Sequence, residues 1–243
     1  MLADSIGLRM RGRAMRLLLF DFDGTLYRGD DPFWFYARTI SQHMDEKTRT
    51  HYLHLVEEHL NGKGVVAGDN WEAVVKLAAP IIPDRSIWQA TFLATRDFMM
   101  TSECHLEVPL PLLNLLRLAR QRVVIVAASN SPPESTIPLM GKLGLAPYFD
   151  HIYAAAHKPQ GLVDIVTKLK GEDFDPHQVF SIGDNYINDI APCVEKGWLT
   201  VHISPHGYFS GPCSVKARSI EEVLPTLEAW VVEGTLPSIH VNI

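Results

Sequence analysis

Apolar positions along the chain fall into two patterns that alternate. One is a short run rich in leucine or β-branched residues: Leu17–Phe20, Val123–Ala128, His151–Ala154, Gln178–Ile182 and Leu199–Ile203. The other repeats an apolar face every three or four residues, near 112–121, 133–143, 161–170, 189–196 and 220–232. Short apolar runs bounded by turn residues read as buried strands, and longer periodic stretches as amphipathic helices. Their alternation predicts parallel βαβ units, hence an α/β fold with a Rossmann-like parallel sheet covered on both faces.

Between about Asp31 and His105 the strands drop out and only helical pattern remains. Asp31 followed by Pro32 predicts an N-cap and first helical position, opening a helix through about Met44. Asp69-Asn70-Trp71-Glu72 has capping-box spacing and opens another, which Pro80 and Pro83 close. Stretches 46–61 and 85–100 supply two more. The chain is therefore expected to hold an α/β core of residues 15–30 and 106–243, with an α-helical module, 31–105, inserted after the first strand. Such an insertion stands over the strand ends where open α/β sheets bind ligands. Residues 1–14, with Arg9, Arg11 and Arg13, read as a flexible leader; Leu17–Phe20 is too short for the apolar core of a signal peptide.

Length agrees with this division, because 243 residues exceed one minimal core. The longest apolar runs reach about six residues, where a membrane span needs about 20. A net charge of −6 with no basic stripe argues against a nucleic-acid polymer as partner. Cys104, Cys193 and Cys213 are odd in number and show no C-x-x-C spacing, so a disulfide framework is not expected and a reducing, cytoplasmic setting is.

Four short segments at strand exits carry the candidate chemistry. Asp21-Phe22-Asp23-Gly24-Thr25-Leu26 follows the first strand, and its two carboxylates can approach one ligand. Gly24 there removes side-chain bulk so that backbone N–H groups can face an anion. Acids so close repel unless a cation lies between them or one is protonated. Ser129-Asn130-Ser131-Pro132-Pro133 follows the second run and combines a hydroxyl with a helix N-terminus, which suits an anion. Lys158-Pro159 places an ammonium near the next exit. Gly183-Asp184-Asn185-Tyr186-Ile187-Asn188-Asp189 follows the fourth, where Asp184 can complete an oxygen site for a hard cation with Asp189 behind it. Each segment alone reads equally as a turn or a cap; together, at successive strand exits, they do not.

Their order, spacing and context resemble the haloacid dehalogenase (HAD) superfamily. Asp21–Thr25 matches its first motif (D-x-D-G-T), Ser129 the second, Lys158 the third and Asp184/Asp189 the fourth. The likeness spans about Met15 to Ile203, and the helical module corresponds to that superfamily's cap. Gly161 departs from it, standing where many relatives carry a second proline after Lys-Pro. The resemblance implies Asp21 as nucleophile and Asp23 as acid and base. It also implies Mg²⁺ held by Asp21, Asp184 and the Asp23 carbonyl, and phosphate contacts from Gly24, Ser129, Asn130 and Lys158. Asp189 would orient a bound water or Lys158. An acid two residues after the nucleophile sets the chain apart from the dehalogenases, whose halide leaving group needs no proton, and points to a phosphatase for a small phosphate ester. Phosphomutase on a sugar phosphate, or a non-catalytic binding protein, are the alternatives; nucleoside monophosphates, phosphosugars and phosphoglycolate-like acids are candidate substrates.

Other features read more plainly. His51, His54 and His59 are expected on a solvated helix face, since no complete ligand set accompanies them. His157 is expected as an incidental loop residue. Among Phe33, Trp34, Phe35 and Tyr36 some must pack within the module while one or two can line a pocket, and Arg28 or Arg38 can meet a second anionic group of the substrate.

Overall fold

The computed structural model describes residues 15–235; the expected leader, 1–14, lies outside them. A parallel sheet of six strands forms the core: β1 (Leu17–Phe20), β2 (Val124–Ala128), β3 (His151–Tyr153), β4 (Val179–Gly183), β5 (Leu199–Ile203) and β6 (Val215–Ala217), in the order β3-β2-β1-β4-β5-β6. β1 is central, pairing Leu17 with Val124 on one side and with Val179 on the other. Its position fixes where the first motif emerges.

Alternation along the strands divides the core into two layers, because successive side chains point to opposite faces. Leu18, Phe20, Ile125, Ala127, Phe180 and Ile182 join one buried cluster with Trp230; Leu17, Leu19, Val126, Ala128 and Val179 join another with Val166 and Cys193. Each fully buried leucine contributes ~1.5–3 kcal/mol relative to exposure. The strand–helix alternation is as expected, with β6 an addition. Its sequence, Val215-Lys216-Ala217, carries a lysine at the centre and so makes no apolar run.

Four helices follow β1 before the chain returns to the core: α1 (Asp31–Ser41), α2 (Glu46–Leu60), α3 (Asn70–Ala78) and α4 (Arg85–Met99). Phe33, Tyr36, Ala37 and Ile40 mark one helical stripe on α1 and pack with Tyr52, Val56, Val74 and Ala78 in a cluster of their own. Asp45, Asp69 and Asp84 cap α2, α3 and α4, each carboxylate accepting from a backbone N–H of the first turn. Asp31 does not cap α1. It is already helical, and its carboxylate accepts instead from the backbone N–H and Nδ1 of His105, where the chain returns to the core. α1 also stops at Ser41, since residues 42–44 close with tighter i to i+3 bonds.

The core helices are α5 (Leu110–Ala119), α6 (Pro133–Lys142), α7 (Gln160–Lys170), α8 (Ala191–Glu195) and α9 (Ile220–Glu233). A π-helical turn, Tyr186–Ile190, precedes α8. Asp189 therefore sits within that turn rather than opening an α-helix, a placement often found at functional sites. Among the described residues no helix is long and apolar enough to cross a membrane.

Candidate active site

β1, β2 and β4 release their chains side by side at one edge of the sheet. Asp21 leaves β1 with its N–H bonded to the Ile182 carbonyl of β4 (2.8 Å). Gly24 then turns with φ +81°, and a Cβ added there would lie 2.0 Å from Asp184 Oδ2. The first and fourth motifs can approach this closely only because that side chain is missing.

Lys158 arrives through a strained turn. Ala155 and His157 both have positive φ (46° and 54°), a conformation costing ~1–3 kcal/mol per non-glycine residue. Surrounding bonds hold it: the Ala155 and Ala156 N–H groups donate to the Ser131 and Ser129 carbonyls, both at 2.9 Å. Asn130 clasps the next residue from both sides, its Oδ1 accepting from Lys158 N (2.7 Å) and its Nδ2 donating to Lys158 O (3.1 Å). The departure at Gly161 has a physical reason, because a Cβ there would meet the Ala156 carbonyl at 1.7 Å.

The Lys158 ammonium, buried, lies 2.5 Å from Asp21 Oδ1 and 2.6 Å from Asp189 Oδ1. Burial opposes its charge, but Asp189 and Asp21 outweigh that and raise its pKa. Burial pushes Asp21 up to about 7; Lys158 resists, while Asp189 and Asp23 add to the rise. Asp184 is also raised well above its ordinary value, by burial and then by Asp69, Asp21 and Asp189. Carboxylate oxygens of Asp21, Asp184 and Asp189 lie within 4.8 Å of one another. Three buried acids against one ammonium leave an excess of negative charge, and their all-oxygen donor set suits a hard divalent cation.

Asp23, two residues from Asp21, belongs to a different set of contacts. Its Oδ1 accepts from Arg96 NH1 (2.5 Å) and the Tyr27 hydroxyl (2.6 Å); its Oδ2 accepts from Ser131 Oγ (2.9 Å), with Ser129 Oγ at 3.5 Å. Burial acts to raise its pKa, yet the Arg96 charge and these bonds prevail and hold the carboxyl below its usual range. The acidic pair is thus resolved into two environments, one in which Asp21 shares a single ammonium with Asp189 and one in which Asp23 has a guanidinium of its own.

Two helices of the insert reach this edge. Arg96 comes from α4, and the N-cap Asp69 of α3 accepts at Oδ2 from Asn185 Nδ2 (3.0 Å). A cavity of about 330 Å³ lies between insert and core, with Gly24 and Asp184 in one wall and Phe33, Asn70, His206 and Arg218 among the others.

All the residues expected at the site converge on it: Asp21, Asp23, Gly24, Ser129, Asn130, Lys158, Asp184 and Asp189. Arg28 lines the cavity, but its charge is engaged by Glu221 (2.8 Å) and Glu107 (3.3 Å). His59 is not on a solvated face. It is buried, with Nδ1 accepting from Val66 N and Nε2 bonded to Asn70 Oδ1. Arg96, Tyr27, Ser131, Asp69 and Asn185 were not anticipated. The first did leave a trace in the sequence: Arg96 shares the helical face of Thr95 and Met99, all buried, where a solvated arginine has no place.

Comparison with known proteins agrees with this fold. Among solved structures, the chain is similar to the HAD-hydrolase YfnB of Bacillus subtilis, described bound to magnesium (17% identity, 88% of this chain and 99% of that one, TM-score 0.60). It is also similar to a protein of Haemophilus somnus described as a predicted phosphoglycolate phosphatase (17%, 88% and 98%, 0.58). A 2-haloacid dehalogenase of Pseudomonas syringae is a further likeness (15%, 88% and 98%, 0.51). At these identities the likeness is one of fold. No match is found among curated proteins. The family model of haloacid dehalogenase-like hydrolases matches residues 15–194, most of the chain and every motif at the sheet edge, and the protein belongs to that family.

Proposed function

We propose that the protein is a Mg²⁺-dependent phosphomonoester hydrolase that acts on a small phosphorylated metabolite through an aspartyl-phosphate on Asp21. The observation that carries this reading is the divided acid pair: Asp21 among Lys158, Asp184 and Asp189, and Asp23 apart from it among Arg96 and the hydroxyls of Tyr27, Ser131 and Ser129. A dehalogenase needs no acid at the second position, whereas an ester leaving group does.

Asp21 Oδ2, the oxygen not bonded to Lys158 and met by Thr25 Oγ1 at 3.5 Å, attacks phosphorus. Ser129 Oγ, the Lys158 ammonium and backbone N–H groups near Gly24 and Asn130 bind the non-bridging oxygens. Asp23 gives a proton to the leaving oxygen; the approaching phosphoryl dianion offsets the pull of Arg96 and lets the carboxyl hold that proton. The same carboxylate then takes a proton from the water that hydrolyses the intermediate. Mg²⁺, when bound by Asp21, Asp184 and the Asp23 carbonyl, supplies charge neutralisation on the transferring group.

Insert contacts at Asp69 and Arg96 support the helices acting as a cap that excludes bulk water and favours small esters over polymers. Three free cysteines fit the reducing cytoplasm. Phosphate release from a panel of metabolite esters, with Mg²⁺ and with EDTA, tests the reading. Metal-dependent release supports it. Metal-independent turnover, or conversion to an isomerised sugar phosphate without free phosphate, contradicts it.

A further inference from the structure

Arg96 is a charged side chain of the insert that enters the chemistry above only as a pull against the Asp23 proton. It stands on α4, yet its side chain is 1% exposed and reaches the edge of the core. NH1 lies 2.5 Å from Asp23 Oδ1, and Nε donates to Ser135 Oγ in the first turn of α6 (3.3 Å). The Phe92 ring, one turn back on α4, lies 5.9 Å from the guanidinium carbon. One side chain thus ties the insert to the turn after β1 and to the segment after β2.

Which oxygen it takes matters more than the pairing itself. A carboxylate offers about four acceptor sites. On Asp23, Oδ1 is filled by two short bonds, from Arg96 and Tyr27, whereas Oδ2 has one bond of ordinary length and one of 3.5 Å to Ser129. Oδ2 is therefore the oxygen with room for a reacting group, and it lies beside the hydroxyl expected to meet the phosphoryl oxygens. We infer that Arg96 is a positioning residue that pins Asp23 Oδ1 so that Oδ2 faces the leaving group, and that it makes this alignment depend on a docked insert.

The inference rests on Asp23 acting as acid and base. In the first half-reaction the Oδ2 proton passes to the ester oxygen as the P–O bond breaks and the bond from Asp21 to phosphorus forms; the leaving group departs as a neutral alcohol. In the second, Oδ2 takes a proton from water as water oxygen bonds phosphorus and Asp21 is released. Without Arg96 the carboxylate is held by hydroxyl groups only, from Tyr27, Ser131 and Ser129, which turn with it and do not fix its plane as a rigid guanidinium held at a second point by Ser135 does.

Leaving-group dependence separates this role from simple support of the fold. Wild type, Arg96→Met and Arg96→Lys are compared on p-nitrophenyl phosphate, whose leaving oxygen needs little help from a proton, and on phenyl phosphate, whose leaving oxygen needs more. Arg96→Met is expected to lower kcat for phenyl phosphate at least about tenfold more than for p-nitrophenyl phosphate, with KM little changed. Arg96→Lys should recover part of the gap, and in an Asp23→Asn background Arg96→Met should add none. Arg96→Gln takes its place if the methionine variant does not fold. Equal losses on both esters, or none, overturn the inference. A wild type that releases phosphate from neither aryl ester nor any ester of the metabolite panel removes the hydrolase reading itself; one that hydrolyses both aryl esters, with variants keeping its ratio, removes this inference alone.

Discussion

Asn185 Nδ2 donates to Asp69 Oδ2 at 3.0 Å, joining the N-cap of an insert helix to the residue that follows Asp184 in the core. Asp69 Oδ1 meanwhile caps α3 at Glu72 N (2.7 Å). Burial raises the Asp69 carboxyl, and its charge in turn raises Asp184. Insert and core therefore meet through a bond that brings two acids together. Asparagine caps a helix about as well as aspartate, whereas alanine costs about 1 kcal/mol. Without divalent cation, Asp69→Asn is expected to melt above wild type and Asp69→Ala below it, as read by thermal denaturation. An Asn variant no more stable than wild type contradicts the repulsion.

Removing Lys158 should expose the same imbalance more sharply. Lys158→Met leaves Asp21 and Asp189 buried without their shared cation, a change costing ~3–5 kcal/mol when one member of a buried pair is lost. Activity should fall by about 10²-fold or more, because a donor to the phosphoryl oxygens goes with it. Adding Asp189→Asn should restore part of the stability and none of the rate. Chemical denaturation and steady-state kinetics on the same preparations separate the two effects.

Proton binding and cation binding should compete at this edge. Asp21 titrates at about 7 in the folded chain, and Asp184 is also raised, against about 4 for an ordinary carboxylate. The folded state thus retains protons that the unfolded chain has released, so stability is lost as pH climbs through that window. Asp23, held low by Arg96, contributes with the opposite sign, and only below the ordinary carboxylate range. The melting temperature of metal-free protein should drop between about pH 5 and about pH 8. Mg²⁺ should recover it at the upper end and add little at the lower. A melting temperature that rises across the window contradicts the assignment.

Chemistry compressed into consecutive residues was legible in the sequence. Asp21, Asp23 and Gly24, or Asp184 and Asp189, lie within one turn or loop, and apolar runs of regular period placed those loops at strand exits. Contacts that depend on how the insert lies over the sheet were not. Arg96 and Asp23 are 73 residues apart, Asp69 and Asn185 are 116 apart, and no local pattern encodes which helix end meets which loop. Local signals also misled where a better partner was available. Asp31 looks like a cap, but His105 offers its carboxylate two donors; His59 looks solvated, but the returning chain at Val66 and Asn70 covers it. β6 escaped notice because Lys216 interrupts its short apolar pattern.

The covalent role of Asp21 is the centre of the account, and peptide mass spectrometry of acid-quenched protein reads it directly. Wild type mixed with Mg²⁺ and a turned-over ester should carry a phosphoryl group on the peptide containing Asp21, absent when EDTA is present and absent in Asp21→Asn. A phosphoryl group on any other residue, or full turnover by Asp21→Asn, would contradict it.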